Sequence, residues 1–286
     1  MQNSTLAILG AGNMAEAIGR GLIRAHVFTP SQIIASDPSP TRREFFEREL
    51  SIRTTSSNRD AARDATIVLL SVKPQHMSTA LVGLPDVIDP QTTLIITIAA
   101  GISIEFIQSQ LGAGKRWRIV RAMPNTPMLV GAGVTAIARG PHATDEGLAA
   151  ARQIFEAGGA VIEVSEDKLH AVTAVSGSGP AYFFYLVEQM IRAGIENGLS
   201  ESEATLLATR TAIGAGRMLE ATTDSTAELR RKVTSPGGTT AAAIERMSAG
   251  GFEAIIADAI RAATHRGREL SGDPNAAKSS ISAGPT

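Results

Sequence analysis

The chain has 286 residues, 43% hydrophobic and 19% charged, with 27 basic against 28 acidic side chains and a formal net charge of -1. That balance leaves no cationic surplus to neutralise a phosphate backbone, so nucleic acid is not an expected partner. There is no cysteine, which excludes disulfides, thiolate nucleophiles and cysteine-rich zinc sites.

A chain of this length suits one large domain or two modest ones, and the pattern favours two. From the start to residue 165, short β-branched runs alternate with amphipathic segments, as in a doubly wound α/β fold with a Rossmann-like parallel sheet. Strands are expected over 5–9, 33–37, 66–71, 93–98, 118–122, 134–138 and 161–164. The runs are nearly continuous in apolar character, as they are when helices cover both faces of a sheet. They are far shorter than the about 20 residues a membrane-spanning helix needs, so no membrane association is expected. The N-terminus has no basic leader, and removing a signal peptide would delete the first strand, so a cytoplasmic protein is the simple inference.

Gly10-Ala11-Gly12-Asn13-Met14-Ala15 follows the first strand and opens a helix. Gly10 suits the tight turn, Gly12 lets backbone approach a pyrophosphate, and Ala15 allows close helix packing. The helix start adds free N–H groups and a favourable dipole. A glycine turn of this kind can also be purely structural, but its strand, loop and helix context points to a dinucleotide.

At the end of the second strand, Asp37 stands where an acid would bind the adenine ribose of NAD(H). Ser36 with Arg42 and Arg43 could instead accept the 2′-phosphate of NADP(H), or the arginines could be a solvated helix face. Both cofactors stay open. Three more loops lie at carboxyl ends of strands, where open α/β sheets bind ligands: Val72-Lys73-Pro74, Ala99-Ala100-Gly101 and Pro124-Asn125. Small residues and prolines are also ordinary turn-formers.

After residue 166 the strand signal stops and alanine-rich segments with helical spacing follow, so an all-α second domain is expected over 166–272, with a frayed tail over 273–286. Its breaks are expected at 198–200, 222–225, 235–238 and 250–251. The stretch Thr234-Ser235-Pro236-Gly237-Gly238-Thr239-Thr240 precedes a helical run. Such a turn can hold a carboxylate on unpaired N–H groups and hydroxyls, although an ordinary capped interhelical turn has the same composition. Ser176 to Tyr182 leads into an apolar helix whose aromatic residues suit a core or a dimer interface. The five histidines lack metal-ligand spacing, so no metal site is expected.

Together these motifs resemble the pyrroline-5-carboxylate reductase family over roughly residues 5 to 270, most specifically in Val233 to Thr240 with Ala243 and Ile244. The resemblance implies an NAD(P)H-dependent reduction of 1-pyrroline-5-carboxylate to L-proline, the last step of proline biosynthesis. It implies that the loops above contact the cofactor and that Asn58 lies at its ribose end. It implies that Ser235, Gly238, Thr239 and Thr240 hold the substrate carboxylate, that Glu166 lies on the substrate side, and that Thr240 is the residue at the ring nitrogen. It also implies a homodimer through interleaved C-terminal helices, with the active site at the interface, and family members often build decamers from such dimers. Lys232 departs from an asparagine found in some relatives.

Two alternatives share this plan. A β-hydroxyacid dehydrogenase would need a catalytic lysine four residues after Gly179, where Phe183 stands. A reductase of another cyclic imine differs only in pocket size.

Overall fold

The computed structural model describes residues 4–112 and 114–272; the expected frayed tail lies outside the described residues. Eight strands form one sheet: β1 (Leu6–Leu9), β2 (Ile33–Ser36), β3 (Arg53–Thr55), β4 (Ile67–Leu70), β5 (Leu94–Thr97), β6 (Arg118–Met123), β7 (Gly133–Arg139) and β8 (Gly159–Glu163), in the order β3-β2-β1-β4-β5-β6-β7-β8. The order reverses at β1, which pairs in parallel with β2 on one side and β4 on the other. A crevice therefore opens beyond the carboxyl end of β1, where ligands bind in sheets of this kind.

Helices connect the strands: α1 (Asn13–Arg24), α2 (Pro40–Leu50), α3 (Asn58–Ala62), α4 (Met77–Leu81), α5 (Ile104–Leu111) and α6 (Asp145–Glu156). Both faces of the sheet are covered. Leu6 and Ile8 of β1 pack with Ile18, Leu22, Phe46 and Phe155, whereas the alternate residues Ala7 and Leu9 pack with Val68, Ile95, Ile107 and Trp117. Successive side chains of a strand point to opposite faces, so a run that is apolar at every position requires a layer on each side.

Two features depart from expectation. The sheet is not wholly parallel, because β7 runs antiparallel to β6 and carries β8, its parallel partner, with it. Between Met123 and Gly133 lies only a loop with a single 3-10 turn at Thr126–Val130, too short for the dozen or more residues that a parallel crossover needs. The other departure is an additional strand, β3. It is three residues long with an exposed first residue and half-buried successors, so it lacks the apolar run by which the others announce themselves.

Contacts divide the chain into two compact units, one reaching to Gly177 and resuming at Ala263, the other Ser178–Ala262. After β8, every regular element among the described residues is helical: α7 (Leu169–Val172), a wider π turn at Thr173–Gly177, then α8 (Gly179–Glu196), α9 (Glu201–Ala221), α10 (Thr226–Lys232), α11 (Thr239–Ala249) and α12 (Phe252–Ser271). The breaks fall where glycine and capping residues cluster. Ser200 caps α9 in a reciprocal box with Glu203, and Ser225 caps α10 through the Glu228 N–H. Within α8 to α11 the buried residues are Gly179, Ala204 and Ala208 alone among those described, while Phe183, Phe184, Tyr185, Leu206 and Leu207 are each more than half exposed.

Candidate functional site

The glycine turn sits against the end of β4. Gly10 has φ +96°, and a Cβ there would fall 2.8 Å from the Ser71 carbonyl oxygen, so neither the conformation nor the space admits a side chain. Gly12 is the N-cap of α1, and the place a Cβ would take is open, with no atom within 4 Å. Ala15 is fully buried in the core. As at any helix start, the N–H groups of Gly12, Asn13, Met14 and Ala15 have no intrahelical acceptor. Ala11 is different, because its N–H donates to Asp37 Oδ2 at 2.8 Å.

A cleft of about 730 Å³ opens over this turn, lined among others by Gly10, Gly12, Ser36, Asp37, Asn58, Arg59, Val72, Lys73 and His76. Its size and position suit the adenosine and pyrophosphate part of a dinucleotide, and the open Cβ position of Gly12 is the space that a bound phosphate needs. The residues present thus fit the group. Asp37 is tied at both oxygens, since Oδ1 accepts the Ser39 N–H at 2.9 Å. Ser36 is fully buried and donates its hydroxyl to Asn58 Oδ1 at 2.7 Å, and the Asn58 amide donates to the Ala80 carbonyl at 3.2 Å.

The arginine pair expected at a 2′-phosphate is directed elsewhere. Arg42 donates from Nε to the Ala11 carbonyl at 2.7 Å, pairs with Glu16 at 3.2 Å and stacks over Phe45. Arg43 donates to the carbonyls of Asp37 and Pro38 at 2.7 and 3.0 Å. Both brace the loops from behind, and neither is among the residues lining the cleft. Of the two readings of Arg42 and Arg43, a phosphate pair or a helix face, the observed bonds to backbone carbonyls and a carboxylate favour a bracing role on α2.

Of the other loops, Lys73 and Pro74 are exposed and Val72 half-buried at the cleft wall. Gly101, at φ +76°, lies against the Leu270 backbone, 3.3 Å from where its Cβ would be, and Ala99 and Ala100 precede it at the end of β5. Pro124 and Asn125 are buried. The Asn125 side chain accepts the Val134 N–H at 2.9 Å and donates to the Ser176 carbonyl at 3.2 Å, which ties the end of β6 to the π turn.

Glu166 lies in the first unit. Its Oε1 accepts the Ile104 N–H at 2.8 Å and pairs with Arg121 at 3.0 Å. Arg121 is buried, its side chain 6% exposed, and reaches this carboxylate from the middle of β6. Sequence reasoning missed Arg121 and Arg59. A cation inside an apolar strand, as in Ile119-Val120-Arg121-Ala122, is the signal that could have found the first, because a buried charge requires a partner. Arg59 follows the overlooked strand β3.

In the second unit, Ser235 and Gly238 close a turn through the Gly238 N–H to the Ser235 carbonyl at 3.0 Å, and Gly237 takes φ +69°. Gly238 is the N-cap of α11, so Thr239 and Thr240 occupy its first two positions, Thr239 exposed and Thr240 half-buried. Their N–H groups lie at the positive end of the helix, and among the described residues neither hydroxyl has a hydrogen-bond partner. Upstream, Lys232 donates to Asp224, whose carboxyl it holds below the usual aspartate range chiefly through this hydrogen bond, assisted by its charge. Among the described residues no three His, Asp or Glu side chains converge as a metal site, and no helix is long and apolar enough to cross a membrane.

A sheet that reverses at β1, with a glycine turn and a cleft of dinucleotide size over it, defines a dinucleotide-binding α/β protein, and the relatives below make it a nicotinamide-dependent oxidoreductase. The chain belongs to the pyrroline-5-carboxylate reductase family. A pyrroline-5-carboxylate reductase of Synechocystis is 40% identical over 265 residues, covering 93% of this chain and 97% of that protein. One from Pseudomonas aeruginosa is 41% identical, covering 94% and 98%. The model of pyrroline-5-carboxylate reductase dimerisation matches residues 166–270, and that of the coenzyme F420-dependent NADP oxidoreductases matches 5–101. Among solved structures, the Coxiella burnetii pyrroline-5-carboxylate reductase is similar with a TM-score of 0.87 at 38% identity, covering 94% of this chain and 98% of that one. The Plasmodium falciparum pyrroline carboxylate reductase, solved with NADP bound, gives 0.83 at 27% identity, covering 95% and 99%.

Proposed function

We propose that this chain reduces 1-pyrroline-5-carboxylate to L-proline with NAD(P)H, the last step of proline biosynthesis. The observation that carries the reading is the start of α11. There a proline and glycine turn delivers two threonine hydroxyls and unpaired N–H groups on a chain that also holds a dinucleotide cleft.

The first unit would hold the cofactor. The N–H groups of Gly12 to Ala15 meet the pyrophosphate, Ser36 and Asn58 form the wall at the ribose, and Val72, Lys73, Pro74, Ala99, Ala100, Gly101, Pro124 and Asn125 contribute the loops at the strand ends. When bound, the reduced dinucleotide supplies a hydride to the imine carbon. The second unit would supply the substrate grip, with the N–H groups of Thr239 and Thr240 on the carboxylate and Ser235 and Gly238 shaping the turn. Hydride addition is easier to an iminium than to a neutral imine, and a pyrroline can arrive protonated, so the loop needs no strong acid. The Thr240 hydroxyl hydrogen-bonds the ring nitrogen and fixes its orientation, and orientation with charge complementarity is the main contribution the protein makes.

The exposed apolar residues of α8 and α9 support a homodimer through the C-terminal helices, and such dimers would build a decamer. The proposal extends to a cytoplasmic location. Glu166, oriented by the Ile104 N–H and Arg121, would stand on the substrate side.

The test follows absorbance loss of NADH and NADPH with the five-membered imine and, separately, with its six-membered homologue. Oxidation that requires the five-membered imine supports the reading. Oxidation only with the larger ring would assign the chain to another cyclic imine, and oxidation with a 3-oxo acid alone would favour the dehydrogenase plan.

A further inference from the structure

We infer that Arg59 is the residue by which this chain selects a dinucleotide bearing a 2′-phosphate, so that NADPH is preferred over NADH. The inference rests on the proposed function for the identity of the ligand class, and the geometry supplies the rest.

The groups near the adenine ribose differ in how they are already engaged. Both Asp37 oxygens accept backbone N–H groups, at 2.8 and 2.9 Å, and as an anion Asp37 attracts no phosphate, so a 2′-phosphate needs a cation beside it. Arg42 and Arg43 are committed to the Ala11, Asp37 and Pro38 carbonyls. Arg59 does line the cleft. It follows Asn58, whose side chain is hydrogen-bonded to Ser36 at the end of β2, so it stands on the ribose side of the crevice. Lys73 follows β4, on the other side of β1.

The Arg59 side chain is held in place without being used up. A Cβ at Gly83, where φ is +72°, would come within 2.8 Å of Arg59 Cδ, so the absence of a side chain there clears the path of the arginine stem. The guanidinium meets Asp86 only at 3.6 Å, with both side chains about half exposed or more. An exposed pair of this length contributes little and is readily exchanged. A phosphate offers a guanidinium two charge-assisted hydrogen bonds, which the neutral ribose hydroxyl of NAD cannot match.

The experiment measures dissociation constants of NADP+ and NAD+ by calorimetry on the whole protein, alongside kcat/KM for NADPH and NADH, for wild type, Arg59→Lys, Arg59→Ala and Arg59→Glu. Wild type should bind NADP+ more tightly than NAD+. Arg59→Ala should weaken NADP+ binding about 10- to 100-fold, the scale of one or two charge-assisted hydrogen bonds, and leave NAD+ within about twofold. Lysine should rescue part of the loss, and glutamate should bring the preference to or past parity. Equal weakening of both dinucleotides, or no change in either, would overturn the role of Arg59 even if the wild type reduces the imine. A wild type that binds both dinucleotides but oxidises neither would sink the reductase reading, and the binding ratios would still judge Arg59.

Discussion

Asp37 Oδ2 accepts the Ala11 N–H at 2.8 Å, which ties the end of β2 to the glycine turn after β1. With Oδ1 taking the Ser39 N–H, one carboxylate fixes both the turn under the pyrophosphate and the start of α2. Replacing Asp37 by alanine leaves the fully buried Ala11 without its acceptor, at a cost of about 1–3 kcal/mol. NADH and NADPH affinities should then fall together, by about tenfold, because a shared turn is loosened. Calorimetry with each dinucleotide checks this, and a loss confined to NAD would show that Asp37 reads the ribose directly.

Gly10 and Gly12 should separate folding from binding. Gly10→Ala meets a positive φ and the Ser71 carbonyl, and should destabilise the chain by about 1–3 kcal/mol. Gly12→Val enters open space in the structure, so stability should change by no more than about 1 kcal/mol while dinucleotide binding is lost. Thermal melts with and without NADP+ distinguish the two, the second variant melting near wild type but no longer shifted by the ligand.

Much of this was legible in the sequence, and the reasons are local. The glycine turn was recognisable because a strand ending at Leu9 and a helix beginning at Asn13 leave few residues in which to reverse direction. The helical second half showed in its 3.6-residue spacing and its caps at Ser200 and Ser225. What the sequence hid were partnerships across the sheet. Arg42, Arg43 and Asp37 read as ligand candidates in the linear sequence, and the backbone partner that the folded loops give each of them does not show there. Strand β3 was hidden because a short edge strand needs no apolar run, and the residue following Asn58 was passed over with it.

The Arg121 and Glu166 pair gives a prediction that separates positioning from direct substrate contact. Glu166→Ala leaves a buried guanidinium and the Ile104 N–H without their shared acceptor, and should cost about 1–3 kcal/mol, the partial exposure of Glu166 softening the loss. Glu166→Gln keeps an oxygen for both donors and should recover most of it. Chemical denaturation of the two variants, set beside their KM for the imine, is the check. An unchanged midpoint with a large rise in KM would make Glu166 a substrate ligand instead.

Thr240 sits at the second position of α11 and caps nothing, so its hydroxyl can be removed without disturbing the helix. Thr240→Ala should lower kcat by about 10- to 1,000-fold, the upper end being the size of a lost transition-state hydrogen bond, with an unchanged melting temperature. Serine should restore most of the rate. Steady-state kinetics of the three proteins decide, and unaltered turnover in the alanine variant removes Thr240 from the mechanism.

The most direct test of the whole account is stoichiometry: the purified chain is mixed with NADPH and 1-pyrroline-5-carboxylate, and cofactor consumed is compared with proline formed. One proline for each NADPH oxidised, with no oxidation when the imine is omitted, is the predicted result. Oxidation without proline, or none with either dinucleotide from protein shown to be folded, would contradict it.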